Sequence, residues 1–148
     1  TLGDPPQATI PRKGLVPIKK QYKRRRKDRN VPILPYFEEK VAIVYYYPNM
    51  QPDIIDSLVA NGYKGIVIAG TGLGHVNKPI YPAIERAHAA GVHIYMTVQT
   101  LWGYVHMFVY DTGRDLMAKG IIPAENMLPE VAYINWAGLS DKPTIPKR

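Results

Sequence analysis

Between Gly65 and Ala69 the chain carries Gly-Ile-Val-Ile-Ala, five residues without a polar side chain. It then meets Gly70-Thr71-Gly72-Leu73-Gly74-His75, with three glycines in five positions. A short apolar run of this kind reads as a strand buried on both faces, as in a parallel sheet. A glycine-rich loop directly after it, and a helical pattern from about Pro79, make the strand–loop–helix step of a parallel α/β domain. Ligands in such domains sit beyond the carboxyl ends of the strands. The Gly70–His75 loop is therefore the candidate binding edge, and its glycines let backbone amides approach a small polar ligand.

The same step recurs on either side. Val41 to Tyr47 (VAIVYYY) reads as a strand buried on both faces near its start, broken by Pro48-Asn49. Ile54, Ile55, Leu58 and Val59 recur at helical spacing from about Pro52, and Asn61-Gly62 is a C-cap signal. Lys78 to Ala90 reads as a second helix with Ile80, Ala83, Ile84 and Ala87 on one face, stopped by Gly91. Val92 to Val98 is the next strand. Gln99 to Asp111 is aromatic and reads as a structured loop with a short extended segment at the strand edge. Asp111 or Thr112 caps a helix through Lys119, and Ile121-Ile122 is a short fourth strand. Asn126 caps a last helix whose apolar face holds Met127, Val131, Ile134 and Leu139. Together these predict a three-layer, Rossmann-like α/β domain over residues 36–139, with a small, mostly parallel sheet flanked by helices and right-handed crossovers.

The flanks differ in character. Residues 1–35 are rich in proline and read as an extended basic arm or interdomain linker, with a short strand near Leu15–Ile18. Ten of the nineteen Lys and Arg residues lie between Arg12 and Arg29, opposed there by Asp28 alone. The body that follows is close to neutral, so the net charge of +7 belongs to the arm. Lys23, Arg24, Arg25, Arg26 and Lys27 are the candidate contacts to RNA or to an acidic partner. A solvated linker explains the same charge, and Tyr22 is the lone stacking platform nearby. The tail 140–148, with Pro143 and Pro146, reads as loose.

Composition excludes several classes. No apolar run approaches the ~18 residues of a membrane span, and there is no signal-peptide pattern. The absence of cysteine removes disulfides, thiolate nucleophiles and Cys-based metal sites, which suits a cytoplasmic protein. The start at Thr1 rather than Met is expected of a processed chain or a fragment.

The chemistry-bearing residues narrow the reading further. The glycine loop is a poor dinucleotide fingerprint, because its third glycine comes one residue early and no acidic residue stands about twenty positions on. Lys78 lies too far along for a phosphate loop. His75, His88, His93 and His106 make no metal-ligand spacing, so neither metal nor other cofactor is expected. His88 belongs on the exposed side of its helix, His93 at a sheet end, and His75 is the histidine placed to meet a ligand. Thr71, Thr97, Thr100 and Thr112 are hydroxyl candidates, but no base is paired with any of them in the sequence.

The segments GIVIAGTGLGHV, TVQTLWGYV and VYDTGRDLMAKGIIPAENMLPEVAY, in this order and spacing, resemble the C-terminal domain of the type I L-asparaginase family. The wording of KRRRKDR, FEEKVAIV and YYPNMQPDIID is similar to the archaeal branch of that family that serves a tRNA-dependent amidotransferase. The likeness covers about residues 20–139. It implies a family activity of hydrolysing the side-chain amide of Asn or Gln with a threonine nucleophile. In the amidotransferase branch the released ammonia passes to a tRNA-bound glutamate. The family's nucleophile motifs, a T-G-G-T strand end and a T-D-[ST] turn, do not occur here. The resemblance therefore implies no catalytic residue in this chain. It implies a substrate loop of Gly70, Thr71, Gly72, Gly74 and His75, the last being the residue lent to another site, and a strand-edge loop with Gln99, Thr100 and Tyr110. The implied partners are an N-terminal catalytic domain or a second copy of the chain, and beyond them a kinase-type amidotransferase subunit and tRNA. Two alternatives stand beside it: an RNA- or ribosome-associated domain acting through the arm, and a non-catalytic Asn/Gln-binding regulatory domain. Thr100 stands where the family has a small residue or Cys, and Asn135-Trp136-Ala137-Gly138 departs from the family's last helix.

Overall fold

The structure, a computed structural model, describes residues 37–138 and the short segments Ala8–Thr9 and Val16–Pro17. These two segments are strands β1 and β2, paired antiparallel with Ala8 opposite Pro17 and Thr9 opposite Val16. β2 falls within the strand expected at Leu15–Ile18. The basic run with Lys23–Lys27, the end of the chain from Leu139 and the tail 140–148 lie outside the described residues.

The body runs β3 (Val41–Tyr45), α1 (Asp53–Ala60), β4 (Gly65–Gly70), α2 (Tyr81–Ala89), β5 (His93–Val98), α3 (Asp111–Ala118), β6 (Ile121–Pro123) and α4 (Pro129–Ala137). Its four strands are all parallel and lie in chain order, β3-β4-β5-β6. A chain that always steps sideways in one direction, with crossovers of one hand, must lay every crossover helix on the same face. Ile66, Ile68, Ile94 and Met96 of the sheet accordingly share one core with Ile55 of α1, Ile84 of α2 and Leu116 of α3. α4 follows the last strand and folds back over the other face, where Trp136 and Ala137 pack with Val41, and Ala132 packs with Val67. The three layers expected from the sequence are thus three helices, the sheet and one helix.

Several boundaries move for identifiable reasons. β4 is buried throughout, as its apolar run requires, but β3 is an edge strand and only Val41 in it is fully buried. The second helix begins as a 3-10 turn, Lys78–Ile80, before the α-helix at Tyr81. Pro79 and Pro82 lack the amides that a continuous helix needs there. No strand forms within Gln99–Asp111: turns at 101–102 and 107–108 flank residues 103–106, two of whose amides bond to other loops, Val105 N–H donating to the Glu125 carbonyl (2.8 Å) and His106 N–H to that of Leu73 (2.9 Å). α3 is preceded by Tyr110 in extended conformation, so Asp111 is its first residue and Thr112 its second. Asn126 does not cap α4. Leu128 holds that position, and Pro129 opens the helix.

The face of α4 is the largest correction. Met127, Val131 and Ile134 are exposed, and the buried side is Pro129, Ala132, Trp136 and Ala137. Trp136 decides the rotation. Its ring lies so close to Gly65 that a Cβ there would stand 2.8 Å from it, and its centroid is 5.8 Å from that of the His93 ring. Gly65 and His93 are the first residues of their strands, so α4 runs antiparallel to the sheet, from the carboxyl edge to the amino edge. The departure at Asn135–Gly138 leaves the helix intact through Ala137. The chain enters the domain beside it: Phe37 meets Tyr133 edge-on at 5.9 Å, and Glu38 N–H donates to the Ala137 carbonyl at 2.8 Å.

Candidate functional site

The glycine loop leaves β4 at the carboxyl edge and closes on itself. Thr71 and His75 exchange backbone hydrogen bonds at 2.9 Å in both directions, and Gly74 N–H donates to the Thr71 carbonyl at 3.0 Å. Gly72 (φ 54°) and Gly74 (φ 98°) adopt left-handed conformations that a side chain would strain, and Gly74 also lies against Met96 and Val105. Closing the turn uses the amides of Thr71, Gly74 and His75. Only the tip, Gly72 and Leu73, keeps amides outside this network, so the loop presents fewer donors than its glycine content suggests.

His75 is half-buried at the loop's return. Its Nε2 is buried and finds no hydrogen-bond partner among the described residues. Burial holds its pKa below the ordinary imidazole value, so the ring is neutral at pH 7. The Tyr110 ring meets it edge-on, with centroids 5.5 Å apart. These two expected site residues are brought together from separate loops.

Gln99 is bonded to the backbone at the strand ends. Its backbone N–H donates to the Gly70 carbonyl (3.0 Å), and its Nε2 donates to the Ala69 carbonyl (2.8 Å) and to that of Tyr46. One side chain thus ties the carboxyl ends of β3 and β4 to that of β5. Thr100, next along, is exposed, and its hydroxyl fills the space that a Cβ on Gly103 would occupy.

Two hydroxyl candidates, Thr71 just after β4 and Thr97 on β5, are bound to backbone. Thr71 Oγ1 donates to the His75 carbonyl (3.2 Å), and buried Thr97 Oγ1 to that of Ile68 (3.1 Å). Neither bond pairs the hydroxyl with a base. No group of three or more metal-ligating side chains gathers among the described residues. His88 is exposed and His93 opens β5, as expected.

Sequence reasoning missed the surface around the loop. Leu101, Trp102, Tyr104, Phe108, Val109 and Tyr110 are each about half or more exposed, Trp102 by 74%. Arg114, paired with Asp111, braces this segment by donating to the Phe108 carbonyl at 2.7 Å. Beside it lies a cleft of about 410 Å3 lined by Tyr104, His106, Phe108, Glu125 and Asn126. Aromatic content without period was the one signal of it in the sequence.

A four-stranded parallel sheet between three helices and one, with a self-closed glycine loop and an aromatic surface at its carboxyl edge, defines a three-layer α/β domain. Residues 40–143 match the family model of the Glutaminase/Asparaginase C-terminal domain, and the chain belongs to that family. It is 48% identical over 134 residues to a glutamyl-tRNA(Gln) amidotransferase subunit from Pyrococcus abyssi, covering 90% of this chain and 31% of that protein. It is 50% identical over 119 residues to the corresponding amidotransferase subunit from Methanopyrus kandleri, covering 80% of this chain and 26% of that one. The chain therefore spans under a third of the length of either relative. The fold is that of solved L-asparaginases: the thermostable enzyme from Thermococcus kodakarensis (TM-score 0.78, 22% identity, 93% of this chain and 42% of that one) and L-asparaginase I from Vibrio cholerae (TM-score 0.80, 20% identity, 93% and 42%). No helix among the described residues is long and apolar enough to cross a membrane.

Proposed function

We propose that this domain is the supporting half of an amidohydrolase whose threonine nucleophile belongs to another domain, and that the whole enzyme supplies ammonia to a tRNA-dependent amidotransferase. The observation that carries the reading is the match to the Glutaminase/Asparaginase C-terminal domain in a chain whose Thr71 and Thr97 hydroxyls are bound to backbone carbonyls. The names of the relatives supply the amidotransferase context. In the hydrolysis a threonine oxygen attacks the amide carbon, the C–N bond breaks and ammonia leaves; water then releases the acid. The tip of the glycine loop and the neutral His75, backed by Tyr110, complete that amide site from the side, and the exposed aromatic segment Leu101–Tyr110 seats against the domain that carries the nucleophile. Gln99 is a positioning residue that holds the loop's base. The further partners of this reading are a kinase-type amidotransferase subunit and tRNA.

The test is ammonia release from asparagine and glutamine. The domain alone releases none above background, and co-expression with a catalytic half restores it. His75→Ala in the reconstituted enzyme lowers kcat/KM by tenfold or more. Turnover by the domain alone at enzymatic rates overturns the reading, and an unchanged His75→Ala enzyme removes the role given to that residue.

A further inference from the structure

A strand at the edge of a sheet leaves a row of main-chain groups unpaired, and the two edges of this sheet differ in how they meet that problem. β6 is three residues long and ends in Pro123, which has no amide to offer a further strand. β3 runs for five residues, Val-Ala-Ile-Val-Tyr, in unbroken register with β4 and without a charge or a proline. Tyr46 N–H donates to the Ala69 carbonyl (3.0 Å), and the Lys40 carbonyl accepts from Lys64 N–H (2.7 Å). Alternate residues of a parallel strand bond to the same neighbour. Lys40, Ala42, Val44 and Tyr46 therefore face β4, and Val41, Ile43 and Tyr45 turn their N–H and C=O groups outward. Among the described residues no strand pairs with that outer side.

A groove of about 670 Å3 runs along the same edge, between β3 and α1. Ala42, Val44, Ile54 and Leu58 give it an apolar wall. Lys40, just before β3, stands at its amino end. α1 returns from the carboxyl edge, so Asp53, its first residue, stands at the other end. Neither charge forms an ion pair among the described residues. A groove with opposite charges at its two ends is complementary to itself under a two-fold axis.

We propose that two copies of the chain join antiparallel through β3, on a two-fold axis normal to the sheet at Ile43, and form one continuous eight-stranded sheet. Ile43 then exchanges both main-chain bonds with Ile43 of the second copy, and Val41 does so with Tyr45 of the second copy. The axis keeps each α1 on the same face. As the crossover between β3 and β4, α1 lies about half a strand spacing inside β3, so the two helices stand two spacings apart. At ~4.8 Å per strand that is ~10 Å, the distance at which helices pack. Ile54 and Leu58 of the two copies fill the groove between them, and Lys40 of each copy comes to Asp53 of the other. The carboxyl edges of the two copies point in opposite directions, so the pairing leaves each His75 loop free. It rests on β3 and α1 and does not depend on the amidohydrolase reading.

Sedimentation equilibrium of the whole chain, with no activity readout, tests the pairing. The wild type is expected to be a dimer. Lys40→Asp and Asp53→Lys each set like charges together twice in the dimer, and each is expected to raise its dissociation constant tenfold or more. The double variant restores the pairs and returns the constant to within about threefold of the wild type. The register is read by cysteines, of which the chain has none of its own. Ala42 faces Val44 of the second copy in a pair without hydrogen bonds, where side chains approach most closely. Ala42→Cys chains mixed with Val44→Cys chains should form a disulfide between copies on mild oxidation, at a yield at least tenfold above that of either variant alone. A monomer at all concentrations overturns the proposal. So does a dimer that ignores both charge reversals, or one that gives no such link in the mixture, since its contact then lies elsewhere.

Discussion

Burial without a partner is the condition that His75 and Tyr46 share. The Tyr46 side chain is 4% exposed, and its hydroxyl is buried and unbonded among the described residues. Removing a buried unsatisfied group while keeping the ring's shape leaves packing intact and lifts a desolvation penalty. Tyr46→Phe is therefore expected to raise unfolding stability by about 1 kcal/mol in urea titration, and a loss of similar size would reveal a partner for the hydroxyl. His75 is neutral when folded because burial disfavours its charged form. Its folded pKa lies below the unfolded value of ~6.5, so the unfolded chain binds more protons between the two. The contribution is fully present above pH ~6.5 and is lost as pH falls through that window. Urea midpoints measured across that range should drop with pH in the wild type, and His75→Gln should flatten that part of the profile. A slope unchanged by the substitution would place the titrating group elsewhere. Of the two residues, the sequence pointed to His75, through its place after three glycines. Tyr46 gave no such sign, because a run of tyrosines does not say which hydroxyl ends in the core.

At the scale of elements, α4 and β4 are matched by a single close approach. Gly65 is needed because the Trp136 ring occupies the place of its Cβ. Gly65→Ala should cost about 1–3 kcal/mol through overpacking, and Trp136→Ala about 3 kcal/mol or more through the cavity it leaves. In the double variant the alanine methyl enters vacated space, so the combined loss should fall short of the sum. Strict additivity in chemical denaturation would mean that the two do not meet. This pair also explains what could be read in advance. β4, β5, α1 and α2 were legible because their apolar periods and glycine or proline stops agree with their burial. α4 was legible as a helix but not in its rotation: Met127, Val131 and Ile134 make a fair apolar stripe by spacing, and the choice against them is made by a tryptophan fitting a glycine seventy-one positions earlier. Caps and periods carry no information about a contact that distant. The Asn126 cap failed for a related reason, since Pro129 starts a helix without any side-chain cap.

For the whole molecule, charge and fold are separate. The described body, residues 37–138, holds six Lys and Arg against nine Asp and Glu, and two ion pairs join its elements, Arg86 with Asp56 and Lys119 with Glu85. The excess of basic residues stands ahead of it. If the arm contacts RNA, affinity should fall steeply with ionic strength, and neutral replacements at Lys23–Lys27 should weaken binding and flatten its salt slope. Filter binding at several salt concentrations checks this, and unchanged affinity in the replaced chain removes the arm from RNA recognition. The order of assembly follows from the position of α4. Strands β3 to β6 each pair with the one made just before, so the sheet and its three crossover helices can form progressively as the chain leaves the ribosome. The opposite face, with Val41, Ile43, Val67 and Tyr95, gains its cover only when the last helix has been synthesised. A stalled or truncated product ending before Pro129 would present that face bare, as a sticky half-made particle, and cellular quality control would meet it at one particular moment of translation.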